Sequence, residues 1–314
     1  RELDGAREAQ KGDNKIGTTK RGIGPTYGDK VARVGFRVLD LVNRERFPAK
    51  LRERLDENNV LIQSLEGTPL NYDQVLAEYT AAADRLRPFV TNTVVFLHEV
   101  SQRAGNILFE GAQGTFLDID HGTYPYVTSS HPIAGGATVG SGLGPRDISR
   151  VVGITKAYTT RVGAGPFPTE LTDDRGEAIV DIGKEFGTVT GRRRRPGWLD
   201  LVMLRHAVRL NSLTEFALTK VDVLDDFESI DVCVGYTVDG VALRGYPDDV
   251  DVLGRVMPKY VTLPGWKKTL RGCRSYADLP SEAKAFVDLI EREVGVPVSI
   301  IGVGPGRDEC VVRT

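Results

Sequence analysis

A short apolar run followed at once by a polar, often glycine-rich turn recurs four times, and this pattern most constrains the fold. The runs and their turns occupy residues 107–109 and 110–115, 151–158 and 159–163, 216–219 and 220–222, and 298–301 and 302–305. Each run is typical of a buried strand. Ligands of open α/β sheets bind at the carboxyl ends of the strands. We therefore expect these turns to lie along one rim of a sheet.

Amphipathic segments between the runs predict helices. They span residues 72–104, which Pro88 interrupts, 199–210 and 281–294. No internal repeat or low-complexity linker divides the chain. The pattern predicts one α/β domain over residues 1–314, with a mostly parallel central sheet, helices on both faces, and large loop and helical insertions.

Composition excludes several classes of protein. The 314 residues are 40% apolar and carry a net charge of −2, so neither nucleic acid nor a membrane surface is indicated as a partner. No apolar run approaches the roughly 20 residues of a membrane helix. The three cysteines lack metal-ligand spacing, and the four histidines do not cluster with them. We therefore predict a reduced, cytoplasmic protein.

Residues 219–222, Thr-Lys-Val-Asp, end the third run. A carboxylate in this place can accept hydrogen bonds from N1–H and the exocyclic amine of guanine, donors that adenine does not offer there. The lysine stem can lie along the base. Loss of a charge-assisted pair costs about 1.5–3 kcal/mol, enough to discriminate between nucleotides. The motif predicts a guanine-binding turn; the alternative is an ordinary strand that ends in surface residues.

Residues 187–197 place four arginines between glycines. Guanidinium groups bind carboxylates and phosphates in a bidentate manner, and glycine lets a backbone approach a ligand closely. The segment therefore predicts an anion-binding loop; the alternatives are a solvated basic run and a localisation signal.

Two further segments are candidates for ligand binding. Residues 17–27 combine hydroxyls, glycines and an arginine that suit a phosphate, although they are also good turn formers. Residues 109–145 form a long loop dense in Gly, Thr and Ser, and loops of this length are usually functional. His121 and His131 are its acid–base candidates, although a lone loop histidine is more often structural.

Five segments, in order and approximate spacing, resemble the adenylosuccinate synthetase family: residues 17–30, 110–130, 157–169, 187–200 and 219–222. The resemblance implies a P-loop-NTPase-like fold and a GTP-dependent ligase. GTP would phosphorylate O6 of IMP, and the amino group of L-aspartate would displace that phosphate, giving adenylosuccinate, GDP and phosphate in AMP synthesis. Mg²⁺ would bridge the nucleotide phosphates.

The resemblance also implies roles for individual residues. IMP would be bound by Thr19 and Thr128 at its phosphate, Gln113 at its base, Val162 at its ribose, and also by Arg192 and Arg33. Aspartate would be bound by Thr188, Val189, Thr190, Gly191, Arg192, Arg193 and Arg194. Arg194 would also lie near GTP, whose base would contact Lys220, Val221, Asp222, Gly302, Val303 and Gly304. Arg33 would reach the IMP of a neighbouring subunit, which implies a homodimer.

The family's phosphate loop carries a catalytic Asp, and a second loop carries a catalytic His. Both are expected before Gly17, and residues 1–16 match neither. We therefore assign no catalytic residue and no metal ligand, expect a phosphate-loop segment to be missing from the amino terminus, and expect these residues alone to form no adenylosuccinate. One alternative is a non-catalytic fragment or paralogue that binds IMP or a guanine nucleotide. A GTPase switch protein is another, but it would have no use for residues 188–194.

Overall fold

The computed structural model describes residues 1–12, 17–103, 105–187 and 191–313. Its strands, in chain order, are β1 (Val152–Lys156), β2 (Thr159–Arg161), β3 (Arg195–Gly197), β4 (Leu199–Asp200), β5 (Glu215–Thr219), β6 (Ser229–Val238), β7 (Val241–Ala242), β8 (Met257–Pro264), β9 (Val298–Gly302) and β10 (Cys310–Val312).

Helices occupy most of the first hundred residues and connect the strands farther along. The α-helices are α1 (Glu2–Gln10), α2 (Ile23–Val31), α3 (Val38–Leu41), α4 (Arg46–Ser64), α5 (Tyr72–Leu86), α6 (Thr93–Gln102), α7 (Gly135–Ser141), α8 (Asp174–Gly183), α9 (Leu201–Asn211), α10 (Val250–Leu253) and α11 (Ser281–Val294). Short 3-10 helices span Arg87–Phe89, Thr115–Leu117, Pro145–Asp147, Val221–Leu224 and Tyr276–Asp278.

The central sheet has the strand order β1-β5-β9-β10. Strands β1, β5 and β9 are parallel, and β10 pairs with β9 in the antiparallel direction. A second sheet is built on β6, which pairs with β4, β7 and β8, and β2 pairs with β3. The predicted α/β fold with a mostly parallel central sheet is confirmed. That residues 1–314 form one domain stays a prediction.

The main hydrophobic core lies between the central sheet and helices such as α11. This helix presents apolar side chains at helical spacing, and Phe286 and Ile290 are fully buried in the same cluster as Phe216 of β5. Burial of each such side chain contributes about 1.5–3 kcal/mol. Gly295 ends the helix in the left-handed conformation, with φ 79°. The core thereby fixes the strands whose ends form the rim.

The helix predictions are confirmed with small shifts at their ends. The segment 72–104 is two helices, α5 and α6, separated by a 3-10 turn that contains Pro88. The segment 199–210 is α9, which begins two residues later because the Asp200 side chain accepts hydrogen bonds from the first N–H groups of the helix. The segment 281–294 is α11.

The predicted strand at residues 107–109 is wrong. These residues are not in a strand, and Leu108 is 89% exposed. An apolar run of three residues forms a strand only where a neighbouring strand pairs with it, and none of the described strands does so. The turn at 110–115 therefore does not follow a strand end.

One structural exclusion concerns membranes. Within the four described ranges, no helix combines the length and the apolar character needed to cross a bilayer.

Candidate functional site

The carboxyl ends of β1, β5 and β9 meet at one rim of the central sheet. Lys156 pairs with Thr219 in the β1–β5 register, and the Ala157 N–H donates to the Thr219 carbonyl at 2.9 Å. On the other side of β5, a Cβ built on Gly302 would lie 3.3 Å from Thr219 Cα, so a glycine favours this close approach. The turns after β5 and β9 therefore lie with the carboxyl end of β1 along one rim, whereas the prediction of a turn at 159–163 is wrong in part, because residues 159–161 form β2 and pair with β3.

The turn after β5 presents one carboxylate that lacks donors. Lys220 adopts the left-handed conformation, with φ 60°, and Val221 is buried beneath the turn. Asp222 is half-buried, and no other described residue hydrogen-bonds to its side chain. Burial raises the pKa of the Asp222 carboxyl more than the nearby charges of Arg271 and Lys220 lower it. Such a carboxylate is suited to accept hydrogen bonds from a ligand.

A second carboxylate in the same turn has a different role. Asp225 accepts hydrogen bonds from Trp266 Nε1 at 2.9 Å and from the Leu270 N–H at 3.1 Å. These contacts attach the segment around residue 266 to the turn. Asp225 is therefore structural, whereas Asp222 retains its acceptor capacity.

The turn after β9 lies beside the turn after β5. Val303 is fully buried, and its N–H donates to the Glu309 carbonyl at 2.9 Å. The Glu309 carboxylate accepts from the Gly306 N–H at 2.6 Å, which closes the turn. After burial, the Glu309 charge also raises the pKa of Asp222, so the two turns share one electrostatic environment.

Glu185, in the segment after α8, is the centre of an ionic cluster at this rim. Its fully buried carboxylate lies 2.8 Å from Lys156 Nζ, 2.6 Å from Arg194 Nη1 and 3.0 Å from Lys220 Nζ. The Tyr158 hydroxyl also donates to it. Burial opposes ionisation of Glu185, but the hydrogen bonds from Lys156 and Tyr158 hold its pKa at about 2.

Lys156 is a cation of the cluster whose ionised form is opposed by burial. Burial lowers its pKa to about 8, and the charges of Arg194 and Lys220 add to that effect, although the hydrogen bond to Glu185 opposes it. Lys156 Nζ also donates to Thr160 Oγ1 at 2.6 Å. The Lys156 ammonium group therefore joins Thr160 of β2 to the Glu185 carboxylate.

Glu185 and Arg194 also pair through their backbones. The Arg194 N–H donates to the Glu185 carbonyl at 2.9 Å, and the Gly187 N–H donates to the Arg192 carbonyl at 2.8 Å. This pairing places the end of the segment after α8 beside the arginine run. The predictions for Thr188, Val189 and Thr190 lie outside the described residues.

The four arginines contact four different parts of the fold. Arg192 donates to the Gly17 carbonyl at 2.8 Å. Each of the other three donates to a carboxylate at 2.6 Å: Arg193 to Glu177, Arg194 to Glu185 and Arg195 to Glu170. The run is therefore not a purely solvated basic segment, because three of its arginines contact half-buried or buried groups. Arg193, paired with Glu177 at the surface, is the exception.

A cleft of about 460 Å³ lies beside the segment at residues 17–20; its lining residues are Glu8, Ala9, Gly17, Thr18, Lys20, Ala164 and Arg192. The Glu8 carboxylate accepts from the N–H groups of Gly17 and Thr18, at 2.5 and 3.1 Å. These contacts hold one wall of the cleft. The segment predicted to bind phosphate therefore lines the cleft together with Arg192, whose guanidinium also contacts the Gly17 carbonyl directly.

The two threonines predicted to bind the IMP phosphate lie on neighbouring segments. A Cβ built on Gly24 would lie 3.5 Å from Ser129 Oγ, so the first turn of α2 approaches the loop that carries Thr128. Thr128 Oγ1 lies 3.4 Å from Ser130 Oγ, and Thr19 is exposed at the entrance to α2.

The other residues predicted to bind IMP lie at the surface. Gln113 and Arg33 are exposed and left-handed, with φ 65° and 66°, and neither side chain makes a hydrogen bond or ion pair with another described residue. Val162 is 41% exposed. Their roles therefore stay predictions.

Of the loop histidines, His131 has a buried partner. Its Nδ1 lies 3.3 Å from Asp118 Oδ2, and the same carboxylate accepts from the Asp120 and His121 N–H groups at 3.0 and 3.1 Å. Burial opposes ionisation of Asp118, but these backbone and side-chain hydrogen bonds hold its pKa below the ordinary value. The arrangement favours a structural role for this pair.

The described residues do not provide a magnesium site. No three or more of their His, Cys, Asp or Glu side chains are grouped to hold a metal ion. We therefore assign no ligand to Mg²⁺ and derive no step through it.

The fold and the rim define an open-sheet α/β protein with polar turns gathered at the carboxyl ends of its parallel strands. A family model described as adenylosuccinate synthetase matches residues 1–311. The chain belongs to the adenylosuccinate synthetase family, which supports a ligase role in purine biosynthesis.

Individual relatives agree with this assignment. The chain is 50% identical over 311 residues to the adenylosuccinate synthetase of Geobacter sulfurreducens, a match that covers 99% of this chain and 72% of that protein. It is 51% identical over 313 residues to that of Acaryochloris marina, with 99% and 70% covered. The structure of fully ligated adenylosuccinate synthetase from Plasmodium falciparum superposes with a TM-score of 0.95 at 37% identity, over 99% of this chain and 74% of that one.

Sequence reasoning missed Glu185 and Lys156. Glu185 is one acidic residue two positions before the glycine-framed arginine run, and Lys156 lies within an apolar strand. A lysine at the end of a buried run is a usable signal, because an interior charge requires a partner. The sequence alone does not identify that partner.

Proposed function

We propose that the protein is a GTP-dependent ligase that joins L-aspartate to IMP through a 6-phosphoryl-IMP intermediate. In the first step O6 of IMP, with N1 deprotonated, attacks the γ-phosphorus of GTP and GDP leaves. In the second step the aspartate amino group attacks C6, the C6–O6 bond breaks, and phosphate leaves. The products are adenylosuccinate, GDP and phosphate. Phosphorylation is needed because a carbonyl oxygen is a poor leaving group.

The single observation that carries this proposal is that the guanine-type turn and the arginine run converge at one rim. Lys220, from the turn after β5, and Arg194, from the arginine run, contact the same carboxylate. A nucleotide whose base contacts the turn and an amino acid whose carboxylate contacts the run would therefore lie close together. Proximity of this kind is the main requirement for a reaction between two bound substrates.

On the guanine side, we assign base selection to Asp222 and packing along the base to Lys220. The half-buried carboxylate that lacks donors supports this assignment. Val221, Gly302, Val303 and Gly304 would form the walls of the base pocket. Gly302 supports the assignment, because it packs against the strand that precedes Asp222.

On the other side of the site, we assign IMP to the cleft between residues 17–20 and Arg192. Thr19 and Thr128 would bind the phosphate, and Gln113 and Val162 would contact the nucleoside. Residues 188–194 would bind aspartate, with Arg194 also near GTP. Guanidinium groups suit both the carboxylates of aspartate and the phosphate of IMP.

We further propose a homodimer in which Arg33 reaches the IMP of the neighbouring subunit. Its exposure, and the lack of an acidic partner among the described residues, support a contact outside its own subunit. The free thiols of Cys233, Cys273 and Cys310 fit a reducing cytoplasm.

The test measures adenylosuccinate and phosphate release by the natural full-length protein with IMP, GTP, aspartate and Mg²⁺. We expect stoichiometric formation of both products, and loss of both when any substrate is omitted or when ATP replaces GTP. Binding of IMP and GTP without product would contradict the proposal and favour a non-catalytic binding protein. The expectation that residues 1–314 alone are inactive stays a separate prediction.

A further inference from the structure

The Glu185 carboxylate joins cationic side chains from three separate segments around the rim. Its Oε2 lies 2.8 Å from Lys156 Nζ and 2.6 Å from Arg194 Nη1, whereas its Oε1 lies 3.0 Å from Lys220 Nζ. The hydroxyl of Tyr158 adds a fourth donor. The carboxylate is fully buried, whereas each of the three cations is partly exposed at the rim.

The cluster carries a surplus of positive charge. Three cations surround one carboxylate, which leaves these four side chains a net charge of plus two when Lys156 is protonated, or plus one when the nearby Asp222 carboxylate is counted. One cation is enough to neutralise a buried carboxylate, so the other two cations exceed its charge. The surplus instead suits a site that receives further negative charge from a ligand, such as phosphate or carboxylate groups.

Glu215 provides the contrasting case within the same strand. It lies at the amino end of β5, and its buried carboxylate is paired with the single guanidinium of Arg150. That pair is neutral and lies at the opposite end of β5 from Lys220. Comparison of the two glutamates therefore separates the loss of an ion pair from an effect on the rim.

We propose that Glu185 is a positioning residue that fixes the guanine-side Lys220 and the aspartate-side Arg194 at the same time. The proposal rests on the proposed function. Each oxygen of one carboxylate orients one of these cations, so their positions are coupled through a side chain that contacts neither substrate. Loss of the charge would let both cations move, and binding of GTP and of aspartate would weaken together. Binding of IMP, assigned to the cleft beside Arg192, would not depend on Glu185.

The experiment compares Glu185→Gln, Glu185→Asp and the matched control Glu215→Gln in the natural full-length protein. The KM values for GTP, aspartate and IMP, kcat and Tm are measured for each. We expect Glu185→Gln to raise the KM for GTP and for aspartate by about tenfold or more, because a neutral amide holds both cations weakly. The KM for IMP should stay within about twofold.

The two other variants give further expected results. Glu185→Asp keeps the charge but is shorter by one methylene, so it should raise the same two KM values by a smaller factor. Glu215→Gln should lower Tm and leave all three KM values unchanged. If Glu185→Asp also raises the KM values for both GTP and aspartate, this shared rise does not result from unfolding of the protein.

Several outcomes would overturn the proposal. They are a change in the KM of only one of GTP and aspartate, a change in neither, or an equal change in all three. If Glu185→Gln does not fold, Glu185→Asp decides by the same criteria. Failure of the proposed function is distinguishable, because the unaltered protein would then form no adenylosuccinate from IMP, GTP and aspartate.

Discussion

Replacement of Asp222 by asparagine tests whether this turn selects the nucleotide base. The carboxylate is half-buried and accepts no hydrogen bond from another described residue. In the proposed complex it accepts from guanine N1–H and from the exocyclic amine. An asparagine retains one acceptor oxygen but presents an N–H₂ group where guanine also presents a donor.

The expected loss follows from these two contacts. A hydrogen bond to a charged group contributes about 1.5–3 kcal/mol, and a neutral one about 1 kcal/mol. Asp222→Asn removes one charged contact and makes the other neutral, a loss of about 2–5 kcal/mol, equivalent to a roughly 30-fold to several-thousand-fold weaker interaction with GTP. Xanthine carries a carbonyl in place of the exocyclic amine, so the amide N–H₂ can donate to it and XTP should be preferred.

The assay measures kcat/KM for GTP and XTP with Asp222→Asn and with the matched control Asp225→Asn in the natural full-length protein. Asp225 lies in the same turn, but its acceptors are used by Trp266 and Leu270. Asp225→Asn should therefore lower Tm and retain the preference for GTP. An unchanged preference in Asp222→Asn would refute the proposed base selection.

Stability gives a second measurement on the same variant. Burial raises the folded-state pKa of Asp222 above its ordinary value. A group of this kind stabilises the fold at low pH, and that contribution is lost as the pH rises through the folded pKa. Near neutral pH the ionised carboxylate is therefore unfavourable, so Asp222→Asn should have a Tm equal to or above that of the unaltered protein. A markedly lower Tm would mean that Asp222 has a partner within the fold.

Three other predictions concern aspartate, the dimer and acid stability. Arg194→Leu should raise the KM for aspartate by at least tenfold, because loss of a buried charge contact costs about 2–5 kcal/mol. The surface variant Arg255→Leu should leave this KM unchanged, and normal aspartate kinetics in Arg194→Leu would contradict the role of Arg194. Arg33→Leu and Thr128→Ala should each lower the activity of the protein, whereas mixed heterodimers should regain activity, because one of their two sites contains only unaltered residues. If verified heterodimers show no recovery, Arg33 acts in the site of its own subunit or has no role in the reaction. The hydrogen bond from its arginine partner lowers the pKa of Glu215 from 4.5 to about 2, so its stabilising contribution is present above pH 4.5 and is lost as the pH falls towards 2. The Tm difference between the unaltered protein and Glu215→Gln should therefore shrink over that range, and a difference independent of pH would contradict the ion-pair account.

Most of the central sheet and its helices could be predicted from local pattern. The runs at 151–158, 216–219 and 298–301 became β1, β5 and β9 because consecutive apolar residues favour strands, although Ile154 of β1 is 80% exposed. Helix α11 was predicted because its apolar period and the following Gly295 agree. The run at 107–109 has the same composition, yet it is not a strand, because strand formation depends on a partner that the sequence does not identify.

The candidate site was predictable only in part, for a related reason. Turns after parallel strands share one rim whatever their sequence, so the position of Lys220 and Asp222 beside Gly302 followed from topology. The Glu185 cluster depends on contacts between β1, the segment after α8, the arginine run and β5. These segments are up to 64 residues apart in sequence between Lys156 and Lys220, and no local pattern joins them.

In the arginine run, backbone geometry determines which side chains face the site, whereas residue type alone does not distinguish them. Successive side chains of an extended segment point to opposite sides. Arg192 and Arg194 therefore point alike, towards the Gly17 carbonyl and Glu185, whereas Arg193 points away to the exposed Glu177. The sequence presents four equivalent guanidinium groups, and the alternation divides the first three into two that face the proposed substrates and one that does not. Substrate contacts from the run should for that reason depend on Arg192 and Arg194 more than on Arg193, although all three were predicted to bind aspartate.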